Sequence, residues 1–220
     1  MSPPDAAPPV AEASLRFLPT GDRALLVELE SLDAVLALHE ALELSRPSGV
    51  IDLVPAARTV LVTVDPAQLT LSEARRWIMR AATARPADAA APTLAPVVIP
   101  VRYDGPDLES VATVLGLRPA DLIERHVAAT WRVAFTGFAP GFGYLTSTQW
   151  THDVPRLASP RTLVPAGSVG LAGEFGGVYP RSSPGGWQLI GTTEAVLWDS
   201  DAMSPALLVP GGTVRFEAVT

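Results

Sequence analysis

A chain of 220 residues with 48% apolar side chains and positive mean hydropathy holds enough material for one large packed core or two small ones. Its apolar runs, such as Val97 to Val101, fall far short of the roughly 20 residues that a bilayer span requires, so no transmembrane helix is expected. A net charge of -7 with no basic block disfavours nucleic acid as a partner, and zero cysteines exclude disulfides, thiolate nucleophiles and zinc-cysteine sites.

All 16 basic residues are arginine, and the chain has neither Lys nor Asn. That excludes a Walker A lysine, a Schiff-base lysine and a biotinylated lysine on this polypeptide. A reaction that uses ATP or biotin would have to draw its main site from another chain.

Residues 1–13 are rich in Pro and Ala and lack the basic start and apolar stretch of a secretory signal; they read as a disordered tail on a cytoplasmic protein. Ser14 to Leu18 and Ala24 to Leu29 flank the turn chemistry of Pro19-Thr20-Gly21-Asp22 and predict a hairpin. Leu32, Val35, Leu36, Leu38 and Leu42 keep helical spacing behind a Ser31 cap with Asp33 in the first turn. Gly49 to Pro55 and Thr59 to Val64 predict two strands, and Thr70-Leu71-Ser72-Glu73 is a capping box opening a second helix through Ala74, Trp77, Ile78 and Ala81. The predicted order over 14–83 is ββαββα.

Residues 84–96 have almost no large apolar side chain and carry several breaks, as an interdomain linker does, with the boundary near 92. Val97 to Tyr103 predicts a strand, Asp107 to Leu115 a helix closed by Gly116, and Pro119 to Ala129 a helix with Pro at its first position. From Trp131 onward, short apolar runs alternate with Gly, Pro and Ser: Trp131 to Phe135, Thr162 to Pro165, Trp187 to Ile190, Ala195 to Trp198 and Thr213 to Phe216. Such spacing predicts an antiparallel barrel or sandwich over 97–220.

The densest chemical signal is FTGFAPGFGYL at 135–145, where glycine permits tight backbone and the aromatic rings can wall a pocket, or simply cover a core. Pro160-Arg161, Pro165-Ala166-Gly167-Ser168, Tyr179-Pro180 and Pro184-Gly185-Gly186-Trp187 form further clusters. Arg161 offers a guanidinium fork for an anion or for a structural ion pair, and Trp187 a plane for stacking. His126, on the helix from Pro119, is placed either as a general base or as an interior histidine. His39 and His152 complete a set without metal-ligand spacing. Ala166-Gly167-Ser168-Val169-Gly170 lacks the first glycine of a nucleophile elbow, which disfavours direct serine catalysis.

Glu124-x-His126, GFAPGFGYL at 137–145, PRTLVPAGSVGLAG at 160–173, YPRSSPGGWQLIG at 179–191 and LLVPGGTVRF at 207–216 resemble, in order and spacing, one family. It contains allophanate hydrolase subunit 1, the B subunits of 5-oxoprolinase and a sporulation kinase inhibitor; GDRALLVEL at 21–29 looks like its N-terminal domain. The resemblance covers roughly residues 14–217 and implies an α+β fold, a small N-terminal α+β domain followed by a cyclophilin-like β-barrel. It implies a homologous second subunit, the pair resembling the carboxyltransferase region of urea carboxylase. In the 5-oxoprolinase branch a third subunit joins, the complex opening 5-oxoproline to glutamate with ATP.

Carried onto matching positions, the resemblance implies a pocket and its frame at Phe138, Pro140, Gly141, Phe142, Tyr144, Pro165, Gly167, Tyr179, Gly185, Gly186 and Trp187. His126 is expected to handle a proton or anchor a carbonyl, and Arg161 to orient an anionic group. Where the family usually carries Gln-Thr-Gly-Ile-Tyr-Pro, this chain has Glu174-Phe175-Gly176-Gly177-Val178-Tyr179-Pro180, without that amide and hydroxyl. The kinase-inhibitor relative implies a different role, a regulatory protein that binds a sensor histidine kinase. A cyclophilin-like barrel also brings prolyl isomerase into view, although fold alone does not carry activity.

Overall fold

The structure is a computed structural model that describes residues 15–83 and 95–220. It divides into two compact units, residues 1–90 and 91–220. The tail expected at 1–13, and all but the last two residues of the linker expected at 84–96, lie outside the described residues.

In the first unit, β1 (Arg16–Thr20), β2 (Ala24–Glu28), β3 (Val50–Pro55) and β4 (Thr59–Val64) form an antiparallel sheet in the order β1-β2-β4-β3. Helices α1 (Leu32–Leu44) and α2 (Leu71–Thr83) follow β2 and β4. Val60, Val62 and Val64 alternate inward along β4, fully buried, and pack with Val35, Leu38 and Leu42 of α1 and Ala74, Trp77, Ile78 and Ala81 of α2. The helix starts follow their caps. Ser31 Oγ accepts from the Ala34 amide at 3.2 Å. At α2, the Thr70 amide donates to Glu73 Oε2 at 3.0 Å and the Glu73 amide donates to Thr70 Oγ1 at 3.3 Å. Thr70→Ala is expected to cost about 1 kcal/mol, read as a lower urea midpoint at unchanged m-value.

The second unit contains β5 (Val97–Val101), α3 (Leu108–Val114), α4 (Pro119–Ala128), β6 (Trp131–Thr136), β7 (Gly143–Thr146), β8 (Arg161–Val164), β9 (Ser168–Ala172), β10 (Phe175–Val178), β11 (Ser183–Gly185), β12 (Gln188–Thr192) and β13 (Thr213–Ala218). Seven strands run in the order β12-β9-β10-β7-β6-β13-β5, and β8 pairs with β11 separately. The two edges of the sheet meet. Arg102, just past β5, exchanges two backbone hydrogen bonds of 2.8 Å with Thr192 at the end of β12, which makes the sheet a nearly closed barrel. Glycine permits that approach: a Cβ on Gly191 would lie 2.5 Å from the Arg102 carbonyl oxygen, and one on Gly105 2.3 Å from the carbonyl carbon of Ile190.

Two sequence expectations are corrected here. The barrel is not wholly antiparallel, because the first and last strands of the unit, β5 and β13, pair in parallel. Ala195 to Trp198 forms no strand, only an isolated bridge between Trp198 and Ala206. Its apolar content anchors a long loop instead: Leu197 and Leu208 are buried, while Val196 and Trp198 stay exposed. The barrel interior is filled by Ile99, Val101, Trp131, Val133, Leu145, Val169, Leu171, Val178, Ile190, Val214 and Phe216, continuous with Val111 and Ala112 of α3 and Leu122 of α4.

Candidate functional site

Beside this core lies a second cluster, in which Phe142, Val164, Ala172, Tyr179, Trp187 and Leu189 are buried with Tyr144 and Phe175 packed against them. Strand β7 delivers it. The Phe142 amide donates to the Ala139 carbonyl at 3.0 Å, closing a tight turn that sends the chain from 137–141 into β7. Phe142 then sits among rings in edge-to-face contact, 5.1 Å from Tyr144, 5.4 Å from Tyr179, 5.3 Å from Trp187 and 5.3 Å from Phe138. The glycine-rich segment facing these rings is strand β10, not a loop. A Cβ on Gly177 would come within 2.9 Å of Phe142 Cζ and 3.0 Å of the Trp187 ring. A Cβ on Gly185 would lie 2.5 Å from Tyr179 Oη.

Phe138 has φ +67°, a left-handed conformation that costs a non-glycine residue energy and that marks functional segments. Its ring is exposed and joins two features. It touches the Phe142 and Tyr179 rings, and with Pro140, Gly141, Trp198, Leu208 and Pro210 it lines a cavity of about 460 Å³. Gly141 also has positive φ, +84°, where a Cβ would press on Trp198 Cβ at 2.8 Å. Gly167, φ +78°, lies so close to the Thr193 carbonyl that a Cβ would sit 2.2 Å from its oxygen. Pro165 is exposed at the same turn, and Gly186 is half-buried beside Trp187.

Arg161 on β8 has a fixed partner. Its Nη2 donates to Asp107 Oδ1 at 2.7 Å and its Nη1 to the Trp187 carbonyl at 3.4 Å. Asp107, 7% exposed, also accepts from the Leu189 amide at 2.6 Å. The guanidinium therefore ties β8, α3 and β12 together at the back of the aromatic cluster. Nothing in the sequence pairs Asp107 with a residue 54 positions away; it reads there as an ordinary first residue of a short helix.

His126 stands elsewhere. Its side chain is fully buried, stacked on Phe216 at 4.4 Å and flanked by Trp131 at 5.1 Å and Trp150 at 5.9 Å. Its Nδ1 lies 2.8 Å from Tyr103 Oη, and its Nε2 has no partner. Burial pushes the imidazole down to about 3 and the Tyr103 hydroxyl above its ordinary range, so both are neutral at physiological pH. None of the rings around His126 belongs to the aromatic cluster of Phe142. The structure thus brings Phe138, Phe142, Tyr144, Tyr179, Trp187 and the Arg161 ion pair to one place, and holds His126 inside the barrel core.

Two glycine turns could be asked to cradle a nucleotide phosphate, but both feed strands. The turn at Gly141 leads into β7 and that at Gly167 into β9, so neither presents the amides of a helix N-terminus, and the chain has no lysine to assist. These turns do not fit ATP. Among the described residues, no group of His, Asp and Glu is placed to hold a metal ion, and no helix is long and apolar enough to cross a membrane.

The second unit is thus a nearly closed barrel of short strands with glycine-relieved ring packing and few helices. The chain belongs to the family described as carboxyltransferase domain, subdomain C and D, whose model matches residues 15–208. It is 37% identical over 207 residues to the B subunit of 5-oxoprolinase from Escherichia coli O157:H7, an alignment covering 89% of this chain and 92% of that protein. Among solved structures it matches TTHA0988 with a TM-score of 0.73 at 35% identity, covering 90% of this chain but only 40% of that longer one. It also matches the Kluyveromyces lactis urea carboxylase with a TM-score of 0.73, at 20% identity and over 22% of that chain, a likeness of fold alone.

Proposed function

We propose that this chain is the B-type subunit of a multi-component amidohydrolase that opens 5-oxoproline to glutamate at the expense of ATP, together with a homologous second subunit and a third. Kinship along nearly the whole length of a 5-oxoprolinase B subunit is the observation that carries this reading. The reaction breaks the lactam C–N bond and adds water, leaving a second carboxylate and a free amine. A five-membered lactam ring suits the edge of the aromatic cluster, where Phe138 is exposed and Tyr144 half-buried over the buried rings of Phe142 and Trp187, an apolar wall that orients the lactam. The chain offers no histidine, lysine or cysteine at that cluster to activate a phosphate or attack a carbonyl. Its part is to bind and position, and partner subunits supply the ATP chemistry. The cytoplasm, where 5-oxoproline and ATP coexist, is the compartment this activity requires.

The test is co-expression with the partner subunits, purification through a tag on this chain, and measurement of ATP-dependent glutamate release from 5-oxoproline. Activity in the complex, with none from this chain alone, is the expected result. A stable complex inert toward 5-oxoproline would overturn the substrate assignment.

A further inference from the structure

The proposed substrate carries a carboxylate, and the arginine that the sequence nominates for it is occupied: Arg161 is spent on Asp107 and the Trp187 carbonyl. A second arginine is not. Arg156 is exposed, and among the described residues its side chain makes no ion pair and no hydrogen bond. Its backbone is nonetheless pinned. Val154 and Gly173 exchange amide-to-carbonyl bonds of 2.9 and 2.7 Å, the Pro155 carbonyl accepts from Gln188 Nε2 at 3.1 Å, and the Leu157 amide donates to the Gly186 carbonyl at 2.9 Å. Residue 156 is thereby fastened against the two residues that flank Trp187, at the edge of the aromatic cluster.

Burial pushes the Tyr144 and Tyr179 phenols up, opposed at Tyr179 first by the Trp187 backbone and at both by the nearby Arg156 charge. Burial prevails in both cases, so the phenols stay protonated at neutral pH and keep a hydrogen to donate. Among the described residues neither hydroxyl spends that hydrogen on a protein acceptor. An uncommitted guanidinium on an anchored backbone, beside a half-buried phenol donor and a wall of rings, is the arrangement that recognises a planar carboxylate. We propose that Arg156, with the Tyr144 hydroxyl, is the carboxylate-binding group at the edge of this aromatic cluster, a positioning role that rests on the proposed lactam substrate.

The test compares 5-oxoproline with 2-pyrrolidinone, the same lactam without its carboxylate, as substrates and as equilibrium ligands of the assembled complex. R156Q should raise KM for 5-oxoproline about 10- to 100-fold with little change in kcat, the loss of one charge-assisted contact. It should also abolish the preference for 5-oxoproline over 2-pyrrolidinone in binding, while R156K restores part of both. Wild-type turnover with R156Q unchanged in KM and binding would overturn the Arg156 assignment and leave the function standing. Loss of co-purification in R156Q would overturn it too, because the guanidinium would then meet an acidic group on a partner subunit. An inactive wild-type complex that still binds 5-oxoproline in an Arg156-dependent manner would sink the function and keep the subsite; one that binds neither compound sinks both.

Discussion

His126→Phe should hold its stability to more acid pH than the wild type. In the folded protein the imidazole is sealed among Phe216, Trp131 and Trp150, and burial pushes it down to about 3 from its ordinary 6.5. The unfolded chain accepts a proton below about 6.5 that the folded chain refuses. The sign follows: stability is fully present above the unfolded value and is lost as pH falls from there toward about 3, at about 1.4 kcal/mol per pH unit. Phenylalanine keeps the stack and removes the titration, so the wild-type and H126F curves should converge, then cross, as pH falls from about 7 to about 4. At neutral pH itself H126F gives up only the Tyr103 contact, about 1 kcal/mol, whereas His126→Ala leaves a void and should cost about 3 kcal/mol. Urea titrations followed by tryptophan fluorescence read this unit well, since four of the five tryptophans (Trp131, Trp150, Trp187 and Trp198) lie within it. Parallel wild-type and H126F curves would mean that water reaches the imidazole, and would bring back a proton-handling role.

The histidine also marks where sequence reasoning stops. Helix spacing puts Leu122 and His126 on one face of α4, and both are buried there. Nothing in the helix says that strands at 131 and 216 bring aromatic rings to both sides of His126. That is long-range pairing, invisible to local pattern. Caps are legible because they are local: Ser31, Thr70 and Glu73 act within three residues of themselves. Strands β7, β9 and β10 are not, because Gly143, Gly170, Gly176 and Gly177 give them the texture of loops. Those glycines answer to packing: a Cβ on Gly176 would press on the Trp131 ring at 3.1 Å, as one on Gly177 would press on Phe142. Of the residues expected at a pocket, the aromatic ones do gather, since FTGFAPGFGYL and Gly185-Gly186-Trp187 share one ring cluster. Asp107 and Arg156 are silent in the sequence because their significance lies entirely in what the fold places beside them.

Arg161→Met should destabilise the second unit by about 3 kcal/mol, the lower end of the cost of breaking a buried ion pair because the Arg161 side chain is 28% exposed. The variant strands a carboxylate that is 7% exposed and keeps one amide donor, from Leu189, in place of a guanidinium at 2.7 Å. Adding Asp107→Asn should recover part of the loss: the amide oxygen still accepts from Leu189 and no charge remains to be buried. The double variant is therefore expected to be more stable than R161M alone, a coupling that a surface arginine cannot produce. Urea midpoints at unchanged m-value measure it. The result also bears on the anion-binding assignment. If R161M proves as stable as the wild type, Asp107 draws its solvation from water, the Arg161 fork is available to a ligand, and the carboxylate belongs to Arg161. If R161M is destabilised and D107N rescues it, Arg161 is a structural tie, and the proposed carboxylate contact stays with Arg156.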